Sequence, residues 1–498
     1  MASHQANDAE KGIADLVHSP PSPTSASKTN ARFGLLYPPK LANPRDSLVK
    51  PKACVRPARK ANFWISFQLW FNAYRKFYTF VVSLNIIGLI LAATNTWKYP
   101  RNFTGAFILG NLLTAILMRN ELFGRLLYLI VNTLFAKWPP LWFRLGCTSV
   151  LQHLGGIHSG CATSGFMWLI FRVVLIFINH KDNHDAVLIM GVITNLAVAV
   201  SILSAFPWVR NTYHNVFERH HRFVGCSQFI LVLAWAFVVL GDSYDATTHT
   251  WRPNGIHIIR QQQFWFALGM TVFIIIPWLT VREVKVDVEI PSPKVVILRF
   301  ERGMQQGLLA RISRASVMEY HAFGIISEGV HSKEHFLICG VQGDFTRELV
   351  QNPPTTVWTR QLKFAGVSNT STLYKRGIRV CTGTGLGAAL STCIQVSLLY
   401  LIWIGSDQEK TFGPTISGLI RKHLGPERSM LWDSKELWYP PVDTLIGGRP
   451  DVMKLITEAY TTWGAEVVFI TSNWGGNKEM MEGCKAAGIP AFGTLWDF

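Results

Sequence analysis

The sequence predicts an α-helical membrane domain of about six spans, followed by a small β-barrel and an open α/β sheet. Three observations predict it. Only 16% of the 498 residues are charged while 49% are hydrophobic, against about 25% charged in an ordinary soluble domain. Apolar runs near the length that crosses a bilayer, about 20 residues, crowd into the middle of the chain. Beyond residue 281 they give way to short period-two strands, and then to strands alternating with helices, the pattern of an α/β sheet.

Charge placement supports this division. The formal net charge is +17. Residues 1–76 hold 12 Lys+Arg against 4 Asp+Glu, residues 77–281 hold 13 against 6, and residues 282–498 hold 23 against 21. The excess belongs to the tail and the apolar middle. A nucleic-acid footprint would need basic clusters on a folded surface, so no nucleic acid is expected as a partner. Eight cysteines without a CxxC pair support neither a disulfide framework nor a thiolate metal site. Residues 1–60, rich in Ser, Pro, Ala and Lys, read as a disordered basic tail that cannot bury a core. No apolar run stands at the N-terminus, so no cleaved signal peptide is expected.

Residues 61–281 read as the transmembrane helical domain. The six runs are 77–97, 103–118, 146–179, 186–208, 224–240 and 264–281, with an amphipathic stretch over 121–136. The loops after the second and fourth runs carry Arg119, Arg125, Lys137 and Arg144, then Arg210, Arg219 and Arg222. Lys/Arg excess marks the cytoplasmic side, so both termini and everything after residue 281 are expected in the cytosol. Arg172, inside the third run, reads either as a functional charge or as one that snorkels to the outer interface.

Residues 282–373 alternate with period two over 283–290, and further short strands follow at 294–300, 334–339 and 355–360, the pattern of a small barrel. Residues 374–498 read as strand 378–381, a glycine-rich turn and helix, strand 396–405, helix 415–424, short strands 430–432 and 443–446, helix 452–463, strand 466–471 and helix 478–487. The chemical signal is Thr382-Gly383-Thr384-Gly385-Leu-Gly387, a GxGxG turn between strand and helix. Glycines there let backbone N–H groups approach a pyrophosphate at the helix N-terminus. By itself the motif reads equally as a tight turn. No GxxxxGK[ST] loop is present, which weighs against an ATP-driven transporter.

Together these features resemble the ferredoxin–NADP⁺ reductase module, in which the barrel holds FAD and the second unit holds NAD(P)H. The resemblance implies a flavin role for His321 and Phe323 within Glu319-Tyr-His-Ala-Phe-Gly, although Ala322 and Gly324 stand where the family has Pro and Thr/Ser. Gly343-Asp-Phe-Thr-Arg resembles a turn of these barrels. For the nucleotide it implies Thr382, Gly383, Thr384, Gly385 and Gly387, with Gly448 and Arg449 of the Gly-Arg-Pro loop. Asn473 ends the late strand where the family often has Cys, and Phe498 or Trp496 would be the aromatic C-terminus that covers the flavin. Six spans before such a module resemble the ferric reductase and NADPH oxidase superfamily. Gln152-His-Leu-Gly-Gly-Ile-His-Ser-Gly-Cys, Phe217-Glu-Arg-His-His-Arg-Phe-Val-Gly and the 488–497 segment look like fungal TmpA-type integral membrane flavoproteins, a group tied to development or small-molecule metabolism.

That superfamily holds two haems on His pairs thirteen or fourteen residues apart. Positions 166, 167, 171, 172, 233 and 234 hold Phe, Met, Phe, Arg, Leu and Ala, so an outer haem has no ligands. Two readings stay open for the inner leaflet: one haem b held by His153 or His158 with His220 or His221, or no haem and a basic headgroup-facing segment. Without an outer haem, electrons are expected to stop at the flavin or an inner-leaflet site, and the acceptor to be cytosolic or membrane-dissolved. No catalytic acid or base stands out. The sequence therefore supports an NAD(P)H-dependent membrane flavoprotein oxidoreductase, with a non-catalytic membrane scaffold as the alternative.

Overall fold

The computed structural model describes residues 62–213, 217, 221, 229–245, 247–316, 319–434 and 449–495. The basic tail, His220, Gly448, Trp496, Phe498, the expected strand 443–446 and the start of the fifth apolar run lie outside the described residues.

The helical part runs α1 (Phe63–Trp70), α2 (Ala73–Ala93), α3 (Lys98–Asn102), α4 (Thr104–Arg119), α5 (Glu121–Leu134), α6 (Leu141–Gln152), α7 (Leu154–Ile178), α8 (Asp185–Ser204), α9 (Pro207–Thr212), α10 (Phe229–Ser243), α11 (Gly255–Arg260) and α12 (Gln262–Leu279). Asn62, Asn72, Asn120 and His184 cap α1, α2, α5 and α8 by accepting from first-turn N–H groups. Each thereby satisfies a donor that the helix cannot. Four helices, α2, α7, α8 and α12, are long and apolar enough to cross a membrane. The count is five if α4 and α5, bent by 68°, form one broken span. Among the described residues the expected six spans are therefore not all seen: α4 has 16 residues, and the described part of the fifth run, α10, has 15.

The third expected span is also corrected. It breaks at His153 into α6 and α7, and α6 leaves the helical stack to pack on the sheets. Helix α7 packs against α2 and α4 through glycines. A Cβ at Gly156 would strike the Tyr74 carbonyl, and one at Gly160 would lie 3.0 Å from Val81 Cβ. Such small residues let helix backbones approach closely. A polar triad adds direction: Asn111 Nδ2 and Trp168 Nε1 both donate to Asn85 Oδ1, at 3.0 and 2.9 Å.

After a two-strand pair, β1 (Tyr244–Asp245) and β2 (Thr250–Trp251), an antiparallel sheet follows. It comprises β3 (Val281–Lys285), β4 (Asp287–Ser292), β5 (Val295–Glu301), β6 (Leu308–Ser313), β7 (His321–Ser327), β8 (Glu334–Gly340), β9 (Thr356–Arg360) and β10 (Phe364–Ala365). The order is β3-β9-β6-β7-β8-β5-β4, with β10 on β6. Among the described residues its ends do not pair, so the small barrel expected from the strand pattern is seen as a half-barrel. Strand β5 is buried on both faces: Val296, Leu298 and Phe300 fill the half-barrel core, while Val295 and Ile297 pack outward. Helix α13 (Asp344–Gln351) replaces the expected turn at Gly343, because Thr346 Oγ1 accepts from the Gly343 N–H and nucleates a helix.

The last layer is a five-stranded parallel sheet of β11 (Gly377–Thr382), β12 (Leu399–Gly405), β13 (Ser429–Asp433), β14 (Val467–Thr471) and β15 (Ala491–Phe492). Its order is β13-β12-β11-β14-β15. Its helices are α14 (Leu386–Gln395), α15 (Gln408–His423), α16 (Gly425–Arg428), α17 (Val452–Trp463) and α18 (Trp474–Ala486). Helix α15 begins earlier than expected because Gly413, at φ +72°, carries it across a kink before Pro414.

Candidate functional site

Strand order reverses between β11 and β14. In open α/β sheets this switch point opens the crevice that takes ligands, at the strands' carboxyl ends. The turn Gly383–Gly385 stands there and leads into α14. Gly383 has φ +50° and nothing near its absent Cβ, so it faces open space. Gly385 is required for a different reason: a Cβ there would lie 2.6 Å from the Thr471 carbonyl oxygen. Gly387 meets only ordinary packing, 3.4 Å from Ile338. Trp403 Nε1 donates to the Gly383 carbonyl at 3.0 Å, and the hydroxyls of Thr382 and Ser472 share a 2.8 Å hydrogen bond across the reversal. Asn473 caps α18 by accepting from the Gly476 N–H at 2.9 Å, so two helix N-termini converge on one crevice. Arg449 is ion-paired to Glu479 of α18.

The half-barrel presses on this turn from one side. The Thr384 side chain would lie 2.9 Å from a Cβ on Gly340, and a Cβ on Gly324 would lie 2.5 Å from Ala388 Cα. Gly324 is therefore a packing requirement: α14 occupies the space where the family carries a hydroxyl. On the opposite face of β7, the His321 ring stacks on Phe345 at 4.1 Å with a 25° tilt, and Phe323 lies 6.4 Å from the same ring. Glu319 lies 3.6 Å from His321 Nε2. A phenyl and an imidazole side by side on a partly open strand edge, beside a helix N-terminus, fit a flavin nucleotide. The hydroxyl hydrogen bond expected at position 324 is missing.

One residue near the turn escaped the sequence reading. Arg379, fully buried in mid β11, donates to the Ala388 carbonyl at 2.8 Å and reaches Thr471 Oγ1 at 3.4 Å, with its guanidinium 5.6 Å from the Phe469 ring. Burial lowers its pKa. It ties α14 to both strands of the switch point. The available signal was a charge inside the apolar strand Gly377-Ile-Arg-Val-Cys.

The expected haem ligands separate. His158 and His221 come together, their rings 6.4 Å apart and steeply inclined, with His158 Nδ1 bonded to the Ala115 carbonyl at 2.8 Å. The carbonyl occupies one ring nitrogen of His158 and leaves Nε2 as the other. His153 does not join this pair. It sits in the α6–α7 break and lines a cavity against the parallel sheet. Leu233 and Ala234 are buried with Trp168, Leu169 and Met270 in an apolar core. Among the described residues no group of three or more metal-binding side chains occurs.

Polar clamps hold helices and sheets together. Arg144 of α6 forms a bidentate pair with Glu466, at 2.7 and 2.9 Å, and donates to the Leu373 carbonyl. Burial alone would raise the Glu466 carboxyl, but Arg144 and the Lys375 N–H hold it below its ordinary value. Glu121 of α5, almost wholly buried, pairs with Arg311 Nε at 2.6 Å and Arg360 at 3.0 Å. Nearby, burial pulls the Lys363 amine down to about 8.

Residues 367–498 match the family "Adenylate-forming reductase 03009, C-terminal domain". Two Coprinopsis cinerea proteins match more of the chain. Adenylate-forming reductase 06235 is 28% identical over 435 residues, and adenylate-forming reductase 03009 is 29% identical over 434. The chain is similar to adenylate-forming reductases. Each alignment covers 86% of this chain but only 40% of the relative, so the chain spans well under half the length of the curated relatives it matches. Among solved structures, phthalate dioxygenase reductase aligns at 10% identity and TM-score 0.32, over 43% of this chain and 68% of that one. Ferredoxin–NADP⁺ reductase from Plasmodium falciparum aligns at 10% identity and TM-score 0.31, over 43% and 95%. CYP116B46 from Tepidiphilus thermophilus aligns at 13% identity and TM-score 0.37, over 44% and 29%.

Proposed function

We propose that the chain is a membrane-bound, NAD(P)H-dependent flavoprotein oxidoreductase of the wider ferric reductase and TmpA-like kind. The observation that carries this reading is the Gly383–Gly385 turn at the strand-order reversal, with His321 and Phe323 on the sheet that presses against it. Similarity to proteins named as reductases supports the class. NAD(P)H docks over Gly383–Gly387, with Arg449 and Asn473 bordering the crevice, and FAD is held beside His321 and Phe323. FAD, when bound, takes a hydride and can release electrons singly. Arg379 keeps α14 in register with β11 and β14 so that the turn's N–H groups stay aimed outward.

The acceptor is cytosolic or dissolved in the membrane, a reading supported by Leu233 and Ala234 standing at the positions of a second His. A single inner haem would take His158 and His221. Gly324 favours a second reading, a non-catalytic membrane scaffold, since α14 excludes the hydroxyl that active relatives of the module place there.

An absorption spectrum of the detergent-purified full chain, followed by anaerobic NADH and NADPH titration, separates these readings. Flavin bands that bleach with nucleotide support the oxidoreductase, and a Soret band adds the haem. A colourless protein that leaves nucleotide unoxidised supports the scaffold.

A further inference from the structure

A cavity of about 910 Å³ opens between α1, α2 and α6 on one side and α18 with the β15 end on the other. Small-ligand sites commonly fall at about 300–1,000 Å³ and favour junctions between units. None of the crevice residues Thr382–Gly387 lines it, so it is a second site.

Its lining is divided by chemistry. Leu69, Trp70, Leu145, Phe492 and Leu495 form an apolar wall. Arg75, Lys478 and Lys485 supply three cations against the single carboxylate of Glu482. Two of the cations are held by aromatic rings: the Arg75 guanidinium lies 4.7 Å from the Trp70 ring, and the Lys478 amine 5.5 Å from Trp474. The cavity also borders a run of exposed aromatic side chains at Trp70. Helix α1 exposes Phe63 (81%), Trp64 (58%) and Trp70 (56%), each of whose rings packs on Phe67. Exposed aromatic helices of this kind lie at the headgroup level.

The geometry points to an anionic phospholipid as the occupant. Its phosphate sits among Arg75, Lys478 and Lys485, and its acyl chain runs along the Leu69–Trp70–Phe492 wall. The site rests on the membrane reading of the helical part but not on the redox reading. Basic residues at this depth select anionic over zwitterionic headgroups, and the apolar wall selects a lipid over a free anion.

The test uses the purified full chain in neutral detergent with two photoactivatable probes. These are phosphatidic acid and phosphatidylcholine carrying the same diazirine acyl chain, with labelled peptides mapped afterwards. Phosphatidic acid should label peptides spanning 66–75 and 474–495 about fivefold more strongly than phosphatidylcholine. The Lys478→Gln/Lys485→Gln variant should lose that excess, while Lys478→Arg/Lys485→Arg keeps it, which separates charge from folding. Unlabelled phosphatidic acid should compete and inorganic phosphate should not. Equal labelling by both probes, labelling indifferent to the Gln variant, or full competition by inorganic phosphate overturns the proposal. The membrane reading is scored separately: release of the chain by alkaline carbonate would sink that reading, while labelling still decides the site.

Discussion

At the residue scale, the glycines around the crevice are not interchangeable. Gly324→Ser would restore the family's hydroxyl, yet its Cβ must enter the Gly387–Ala388 backbone. We expect it to cost about 1–3 kcal/mol, as overpacking does, without raising flavin content; thermal melts and absorbance of the purified variant check both. Gly383→Ala meets open space at φ +50°. It should cost only about 1 kcal/mol but raise the KM for the nucleotide severalfold, because the new methyl points into the crevice. An opposite split, a large stability loss with KM unchanged, would remove Gly383 from the docking surface. Lys363 gives a pH test. Its folded pKa of about 8 lies below the unfolded value of about 10.4. Between these values the unfolded chain binds more protons, so stability rises with pH across that window and levels off above it. Lys363→Gln should flatten the rise in Tm between about pH 8 and 10.

At the element scale, the period-two strands and the glycine turn were legible because local chemistry decides them. The break at His153 was not, since 146–179 reads as one apolar run and only tertiary partners pull α6 away. Those partners, Arg144 with Glu466 and Thr148 with Tyr374, are more than 220 residues apart in sequence. Strand pattern predicts a small barrel but does not reveal whether β3 and β4 meet, which takes the fold to decide. Among the site residues, His321 and Phe323 were found together as their i, i+2 spacing implies. Arg379 was missed because its partners, Ala388 and Thr471, come from elements that only the fold brings together. Glu121→Gln tests the clamp on α5. It leaves Arg311 and Arg360 without their shared carboxylate, so the loss should approach about 3–5 kcal/mol. The exposed Arg299–Asp287 pair is the control, and Asp287→Asn should leave the melting curve unchanged. Equal effects from both would mean that burial at Glu121 carries no weight.

At the scale of the whole molecule, we propose from the loop charges that both ends of the chain lie on one face of the membrane. Tags at the two ends should be cleaved together by protease in inside-out vesicles and protected together in right-side-out ones; opposite protection would refute the orientation. Helices α5 and α6 share an apolar cluster with the parallel sheet and the segment leading into it: Val131, Phe135, Leu141 and Leu145 pack on Leu373, Tyr374, Val467 and Phe469. The line at residue 281 where composition changes is therefore not the line where the core ends. A gene fragment beginning at 282 would carry every residue of the crevice and still lack part of its own interior. It should express as aggregate, while a fragment that also carries 120–152 should not. Helices α5 and α6 thus supply part of the interior of the sheets, and a version of the sheet region without them would have to replace that surface by redesign.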